Sequence, residues 1–122
     1  LIENGRNPGE CRVLVMGITF KEDVADIRNS KVVDLIRELE DYSVTIDVID
    51  PHASVEEVKN QYNIDLKREP EGKYDAIIVA VGHKEYVATS YENLLALSGK
   101  EAIVFDIKGI LKIAPHMRYL RL

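Results

Sequence analysis

The chain has 122 residues, 46% hydrophobic and 30% charged, enough for one domain with a hydrophobic core and too few for two. A formal net charge of -5 excludes a broad nucleic-acid-binding face and confines any anion site to a small basic pocket. Cys11 is the only cysteine, which excludes an intrachain disulfide and a cysteine-based metal cluster and fits a reducing compartment, so the expected location is the cytoplasm.

Residues 1–11 are polar, with Asn7-Pro8-Gly9 near their end, and read as a linker. They lack the basic-then-apolar pattern of a signal peptide, and no run in the chain approaches the roughly 18 apolar residues of a spanning helix, so no membrane partner is expected. The chain opens on Leu1 instead of methionine, which predicts a piece of something longer, with 1–11 leading from upstream domains.

A nearly continuous apolar run, Val13-Leu14-Val15-Met16, ends at Gly17 and predicts a buried parallel strand over 12–18. A polar stretch follows, then a helix capped by Asn29 or Ser30, with Val32, Leu35, Ile36 and Leu39 at helical spacing. Residues 44–49 predict a second strand ending at Asp50-Pro51, since proline cannot continue a central strand. Residues 54–62 predict a short helix with Val55 and Val58 inward and Glu56 and Glu57 in its first turn. Residues 63–72 show no period. Residues 74–82 predict a strand that again ends at glycine, 83–86 one helical turn, 91–97 a helix and 102–106 the last clear strand. The mixed apolar and basic tail from 110 is expected to pack back on the body. Strands alternating with helices make this an α/β chain, a Rossmann-like three-layer sandwich with a mainly parallel sheet.

In such sheets ligands bind outside the carboxyl ends of the strands. Lys21, His83 and Lys108 each follow a predicted strand, so that edge is basic on an acidic protein. This arrangement suits a phosphate, held by ammonium groups and helix amino ends, although any one of these lysines could be a solvated loop residue. Arg28 lies just ahead of the first helix, where its forked donors suit an external carboxylate or phosphate, or a bridge to Asp23 or Asp26. Asp50 stands where a dinucleotide-binding fold keeps its ribose-binding acid. The first turn, Gly17-Ile18-Thr19-Phe20-Lys21, lacks Gly-x-Gly-x-x-Gly, so a standard NAD site is not expected and Asp50 reads as a strand terminus and turn. His52, His83 and His116 show no ligand spacing, and no metal site is expected from them. No catalytic triad or nucleophile elbow is present, which leaves a binding module without catalytic residues of its own.

Gly17-Ile18-Thr19-Phe20-Lys21-Glu22-Asp23 followed by Asp26-Ile27-Arg28-Asn29-Ser30 resembles the hallmark of the C-terminal, UDP-binding domain of the UDP-glucose/GDP-mannose dehydrogenase family. Asp50-Pro51, Tyr74-Asp75-Ala76, Gly82-His83 and Phe105-Asp106-Ile107-Lys108 follow in matching order, so the resemblance covers about 12–111 and assigns 12–122 to that domain. The wording is similar to the branch that oxidises UDP-N-acetylhexosamines for surface polysaccharides. The resemblance implies a longer enzyme with an NAD-binding N-terminal domain, a central dimerisation region and this domain, oxidising the C6 alcohol of a UDP-sugar to a uronate with two NAD. Full-length relatives are implied to be homodimers or larger. Carried onto this chain, Phe20 and Lys21 contact the UDP-sugar, Arg28 reaches NAD held by the other domain, and Lys108 takes the place of a substrate-contacting residue that is often arginine. No catalytic residue carries over, because the family's thioester-forming cysteine lies in the central region and Cys11 does not inherit it. Two other readings fit the length and alternation: a receiver-like domain, which the absence of an acidic pair after the first strand argues against, and a noncatalytic nucleotide-binding regulatory module.

Overall fold

The computed structural model describes residues 11–21, 23–87, 98–106 and 118–121. In chain order these form β1 (Arg12–Met16), α1 (Lys31–Asp41), β2 (Thr45–Ile49), α2 (Val55–Tyr62), β3 (Leu66–Lys67), β4 (Tyr74–Val79), α3 (Lys84–Val87), β5 (Ser98–Asp106) and β6 (Arg118–Arg121). The strands make a 6-stranded sheet in the order β3-β2-β1-β4-β5-β6. Every pairing is parallel. This is the Rossmann order, with the chain switching direction between β1 and β4, and it differs from the order of a receiver domain, in which β1 lies between β2 and β3.

The centre of the sheet follows from its sequence. Val13, Leu14 and Val15 are wholly buried, so β1 packs on both faces, and each such side chain contributes about 1.5–3 kcal/mol by leaving water. Val13 and Val15 join Val48, Ala76 and Ile78 beneath Val32, Val33 and Ile36 of α1 and Val58 of α2. Leu14 and Met16 join Ile49, Ile77, Val79, Val104 and Tyr86 of α3 on the opposite face. Helices therefore lie on both faces, as the alternation predicts.

Ser30 takes the cap position of α1, but its hydroxyl makes no capping hydrogen bond. Ser54 caps α2 by accepting from the Glu57 N–H. Val55, expected inward, is instead 37% exposed, because as the first helical residue it borders the open cleft with Asp50, Ser54 and Lys67. The aperiodic stretch hides β3, and β5 begins at Ser98, earlier than its apolar run. Part of the tail does return to the body, as β6 pairing with β5 at the sheet edge. The expected helix over 91–97 lies outside the described residues.

A buried polar cluster ties the β3–β4 connection down. Asp47 of β2 accepts from the Tyr74 hydroxyl at 2.6 Å and from Arg12 at 3.2 Å, with the Lys67 ammonium 3.4 Å away. Arg12 also donates to the carbonyls of Glu71 and Lys73 and stacks over the Tyr74 ring. The Asp47 carboxylate is thus paired on several sides, as a buried charge must be.

Tyr86 sets an alkaline limit on stability. Burial, reinforced by the charges of Asp50 and Glu85, holds its phenol well above the ordinary value of 10.0. The unfolded chain loses that proton from about pH 10 while the folded chain keeps it, so the unfolded state then binds fewer protons and stability falls as pH rises. Below about pH 10 both states are protonated and Tyr86 adds no pH dependence. Urea unfolding followed from about pH 9 to about pH 11.5 is expected to show a loss approaching about 1.4 kcal/mol per pH unit from this residue. Tyr86→Phe removes that component of the slope, at the cost of about 1 kcal/mol for the hydroxyl's 3.3 Å bond to the Ile49 carbonyl.

Candidate functional site

At the switch point the backbone of β1 runs straight into a close crossing. Gly17 has φ +104, and a Cβ there would lie 2.6 Å from Cβ of Val81, two residues past β4. Only glycine meets both demands, so the chain leaves the sheet here and opens into the loop that leads to Ser30.

Asp50 holds that loop from inside. Its Oδ2 accepts from the N–H groups of Ile18 at 2.7 Å and Thr19 at 3.1 Å, and its Oδ1 accepts from the His52 N–H at 2.8 Å. His83, wholly buried, sits on the same carboxylate with Nε2 2.9 Å from Oδ2 and 3.0 Å from Thr19 Oγ1. Thr19 donates its own hydroxyl proton to the Lys21 carbonyl, and the Asp23 N–H donates to His83 Nδ1 at 2.8 Å. These bonds assign the imidazole its Nε2–H tautomer: one nitrogen gives a proton to Asp50 and Thr19, and the other receives one from the loop. Asp23 has φ 59, a left-handed conformation that aspartate tolerates, and its Oδ1 accepts from the Lys84 N–H at 2.7 Å.

The expectation that His83 joins a phosphate-binding edge is therefore corrected. Both of its nitrogens are used internally and none of its surface reaches solvent, so it braces the loop. Asp50 is a strand terminus and turn, as its sequence context indicates.

The loop presents the side chains of Phe20, Lys21 and Arg28 outward. Phe20 N–H donates to the Asp26 carbonyl at 2.6 Å, closing the base of the segment between them. Phe20 is 55% exposed, unusual for a large apolar ring, and Lys21 beside it is exposed with no ion pair among the described residues. Arg28 stands across this base and does form an intramolecular bridge. Nε and Nη2 donate to the Asp26 carboxylate at 3.1 and 3.0 Å, and this pairing holds the Asp26 carboxyl below its ordinary range. That bridge occupies one edge of the guanidinium only, and the Nη1 edge stays available on a side chain that is 77% exposed. Ile27 between them is anchored by its carbonyl, which accepts from the Tyr62 hydroxyl of α2. Lys108 lies outside the described residues, as does His116.

Sequence spacing gave no reason to group the histidines, yet the β2 and β4 edges bring His52 and His83 to a ring separation of 4.5 Å. Asp23, which carried no prediction beyond a possible partner for Arg28, joins them: its Oδ1 is 3.8 Å from His52 Nε2 and 3.9 Å from His83 Nδ1.

Over residues 14–113 the sequence matches the UDP-glucose/GDP-mannose dehydrogenase family, UDP binding domain. The chain belongs to this family. It is 45% identical over 102 residues to a UDP-N-acetyl-D-glucosamine 6-dehydrogenase of Pseudomonas aeruginosa, covering 83% of this chain and 24% of that protein. A protein of the same name from Salmonella typhi is 37% identical over 112 residues, covering 91% of this chain and 26% of the relative. Among solved structures, a UDP-D-ManNAc dehydrogenase from Pyrococcus horikoshii superposes with a TM-score of 0.75 at 23% identity, covering 99% of this chain and 27% of that one. The chain thus spans about a quarter of the length of these curated relatives.

The described residues keep the Rossmann strand order, but the turn after β1 is filled from within. The backbone N–H groups at the end of β1 are taken by Asp50, and Asp50, in the ribose-binding position, is 7% exposed and turned inward. These residues do not fit a dinucleotide in the standard position. No helix among the described residues is long and apolar enough to cross a membrane.

Proposed function

We propose that this chain is the UDP-holding, C-terminal domain of an NAD-dependent UDP-sugar 6-dehydrogenase. The enzyme oxidises the C6 alcohol of a UDP-hexose or UDP-N-acetylhexosamine to a uronate for surface polysaccharide synthesis. The observation that carries this reading is the braced loop, which exposes Phe20 and Lys21 side by side at the carboxyl edge of the sheet while its backbone is locked by buried Asp50 and His83. A loop fixed in this way holds an ammonium and an aromatic face ready for an anionic, ring-bearing ligand without ordering them at the moment of binding. The 45% identity to a named UDP-N-acetyl-D-glucosamine 6-dehydrogenase supports the substrate class.

In this reading Lys21 meets the diphosphate as a point charge, Phe20 lays its ring against the nucleotide sugar, and Lys108, two positions after β5 in the sequence, is a second substrate contact. Arg28 keeps Asp26 on one edge and offers the other to NAD carried by the N-terminal domain of the same enzyme. NAD bound there would supply the hydride acceptor for C6, two NAD molecules being reduced for each uronate. Closure of the domains around this edge excludes water and strengthens the charge interactions that position the substrate. The central domain supplies the catalytic cysteine and the contacts of a homodimer or larger assembly. The enzyme works in the cytoplasm with neither nucleic acid nor membrane as partner.

The test is an NMR titration with UDP that follows backbone amide shifts. Saturable shifts centred on Phe20 and Lys21 and reaching Lys108 are expected, and Lys21→Ala should weaken them at least about 10-fold. Shifts centred on β3 or the α2 face, or undiminished binding in Lys21→Ala, would overturn the assignment of the site.

A further inference from the structure

We propose that Asp23, His52 and His83 form a site for one divalent transition-metal ion of the zinc class, distinct from the Phe20–Lys21 edge. One ligand atom from each lies within 4.8 Å of the others. Tetrahedral coordination with bonds of about 2.0–2.1 Å sets ligand atoms about 3.3 Å apart. The separations of 3.8 Å from His52 Nε2 to Asp23 Oδ1 and 3.9 Å from His83 Nδ1 to Asp23 Oδ1 need about half an ångström of contraction, and the two imidazole nitrogens, within 4.8 Å of each other, need up to about 1.5 Å.

The surroundings are those of a metal-bound histidine. His83 donates its Nε2–H to the buried Asp50 carboxylate at 2.9 Å, which fixes the ring and leaves Nδ1 as its acceptor nitrogen. A carboxylate behind a ligating imidazole is the usual outer partner of such a ligand, raising its basicity and setting its tautomer. Nδ1 accepts the Asp23 N–H at 2.8 Å, so an entering ion replaces that bond by coordination at the most buried corner of the site. Glu85 adds a further carboxylate 3.0 Å from His52 Nε2. Asp23, Asp50 and Glu85 give the cluster a surplus of negative charge over its two imidazoles, which favours a cation.

Two imidazoles select against Mg²⁺ and Ca²⁺, which prefer oxygen donors, and for Zn²⁺, Co²⁺ or Ni²⁺. The side chains of Asp23, at 46% exposure, and Glu85, at 41%, leave one side open for entry. The ion would join three separate turns, those after β1, β2 and β4. Its role is to stiffen the loop that carries Phe20 and Lys21, and no redox or bond-breaking step is assigned to it.

The experiment titrates the metal-free full-length protein with Zn²⁺ by calorimetry and with Co²⁺ by its visible d–d absorption. One ion per chain is expected at this site, with the intense absorption of a four- or five-coordinate centre. Loss of an outer partner alone costs a metal site about 10–100-fold, so His52→Ala should weaken this binding more than about 100-fold. His52 is half-buried and exchangeable without opening the core. Asp23→Asn keeps a residue that tolerates the left-handed backbone and should weaken binding as well, whereas His116→Ala should not. Absence of binding below about millimolar Zn²⁺, or equal binding by wild type and His52→Ala, overturns the proposal.

Discussion

Replacing Asp50 by alanine is expected to destabilise the fold by about 4–6 kcal/mol, enough to unfold a domain of ordinary stability. Its carboxylate is the common acceptor for the N–H groups of Ile18, Thr19 and His52 and for His83 Nε2. Each buried donor left without an acceptor costs about 1–3 kcal/mol, and the Ile18, Thr19 and His83 donors are all buried. The His52 amide is part-buried and can recruit water, so its share is smaller. Asp50→Asn should cost less, about 2 kcal/mol, since its amide oxygen can still receive the donors on the Oδ2 side while its NH₂ opposes the His52 N–H. Urea midpoints at constant m-value measure both. A loss below about 1 kcal/mol for Asp50→Ala would mean that the loop holds itself without this carboxylate.

How much of this was legible in the sequence depends on the range of each interaction. Val13 to Met16 and Ile77 to Val79 are apolar on both faces because they are central parallel strands, and such runs announce themselves. Leu66–Lys67 does not, since two residues cannot display a period. The inward direction of Val58 follows from helical spacing, whereas the exposure of Val55 depends on where the sheet stops, which no local pattern states.

The same division runs through the site. Phe20, Lys21 and Arg28 stand in a compact stretch whose wording carries the family, and the structure leaves Phe20 and Lys21 exposed. His83 looked alike in sequence, a polar residue just past a strand. Its fate is decided by Asp50, 33 positions earlier, and Thr19, 64 positions earlier, which take its Nε2–H into the interior. The pairing of His52 with His83 is equally non-local, a product of strand order that brings the ends of β2 and β4 to the two sides of β1. For Arg28 the sequence left two partners open, and the structure shows the intramolecular one: Asp26 takes one edge of the fork, and the other edge faces outward.

That division of the guanidinium makes the roles proposed for Lys21 and Arg28 separable in the proposed full-length dehydrogenase. Lys21→Ala removes one charge-assisted contact to a phosphate, about 1.5–3 kcal/mol, and should lower kcat/KM for the UDP-sugar by about 10–150-fold with the loss mainly in its KM. Because Lys21 is exposed and has no ion pair among the described residues, Tm should move by no more than about 2 °C. Arg28→Ala should act on the other substrate, raising the KM for NAD and lowering kcat by a similar factor, with little change in the KM for the UDP-sugar. Arg28→Lys should rescue little, since an ammonium cannot hold Asp26 and an external anion along two edges at once. Asp26→Asn separates holding from binding: it keeps the guanidinium but loosens its anchor, so an intermediate loss in the NAD step is expected, larger at high salt than at low. If Lys21→Ala and Arg28→Ala both shifted only the UDP-sugar constants, Arg28 would belong to the same ligand as Lys21, and the outward edge of its fork would have to be reassigned from the cofactor to the substrate.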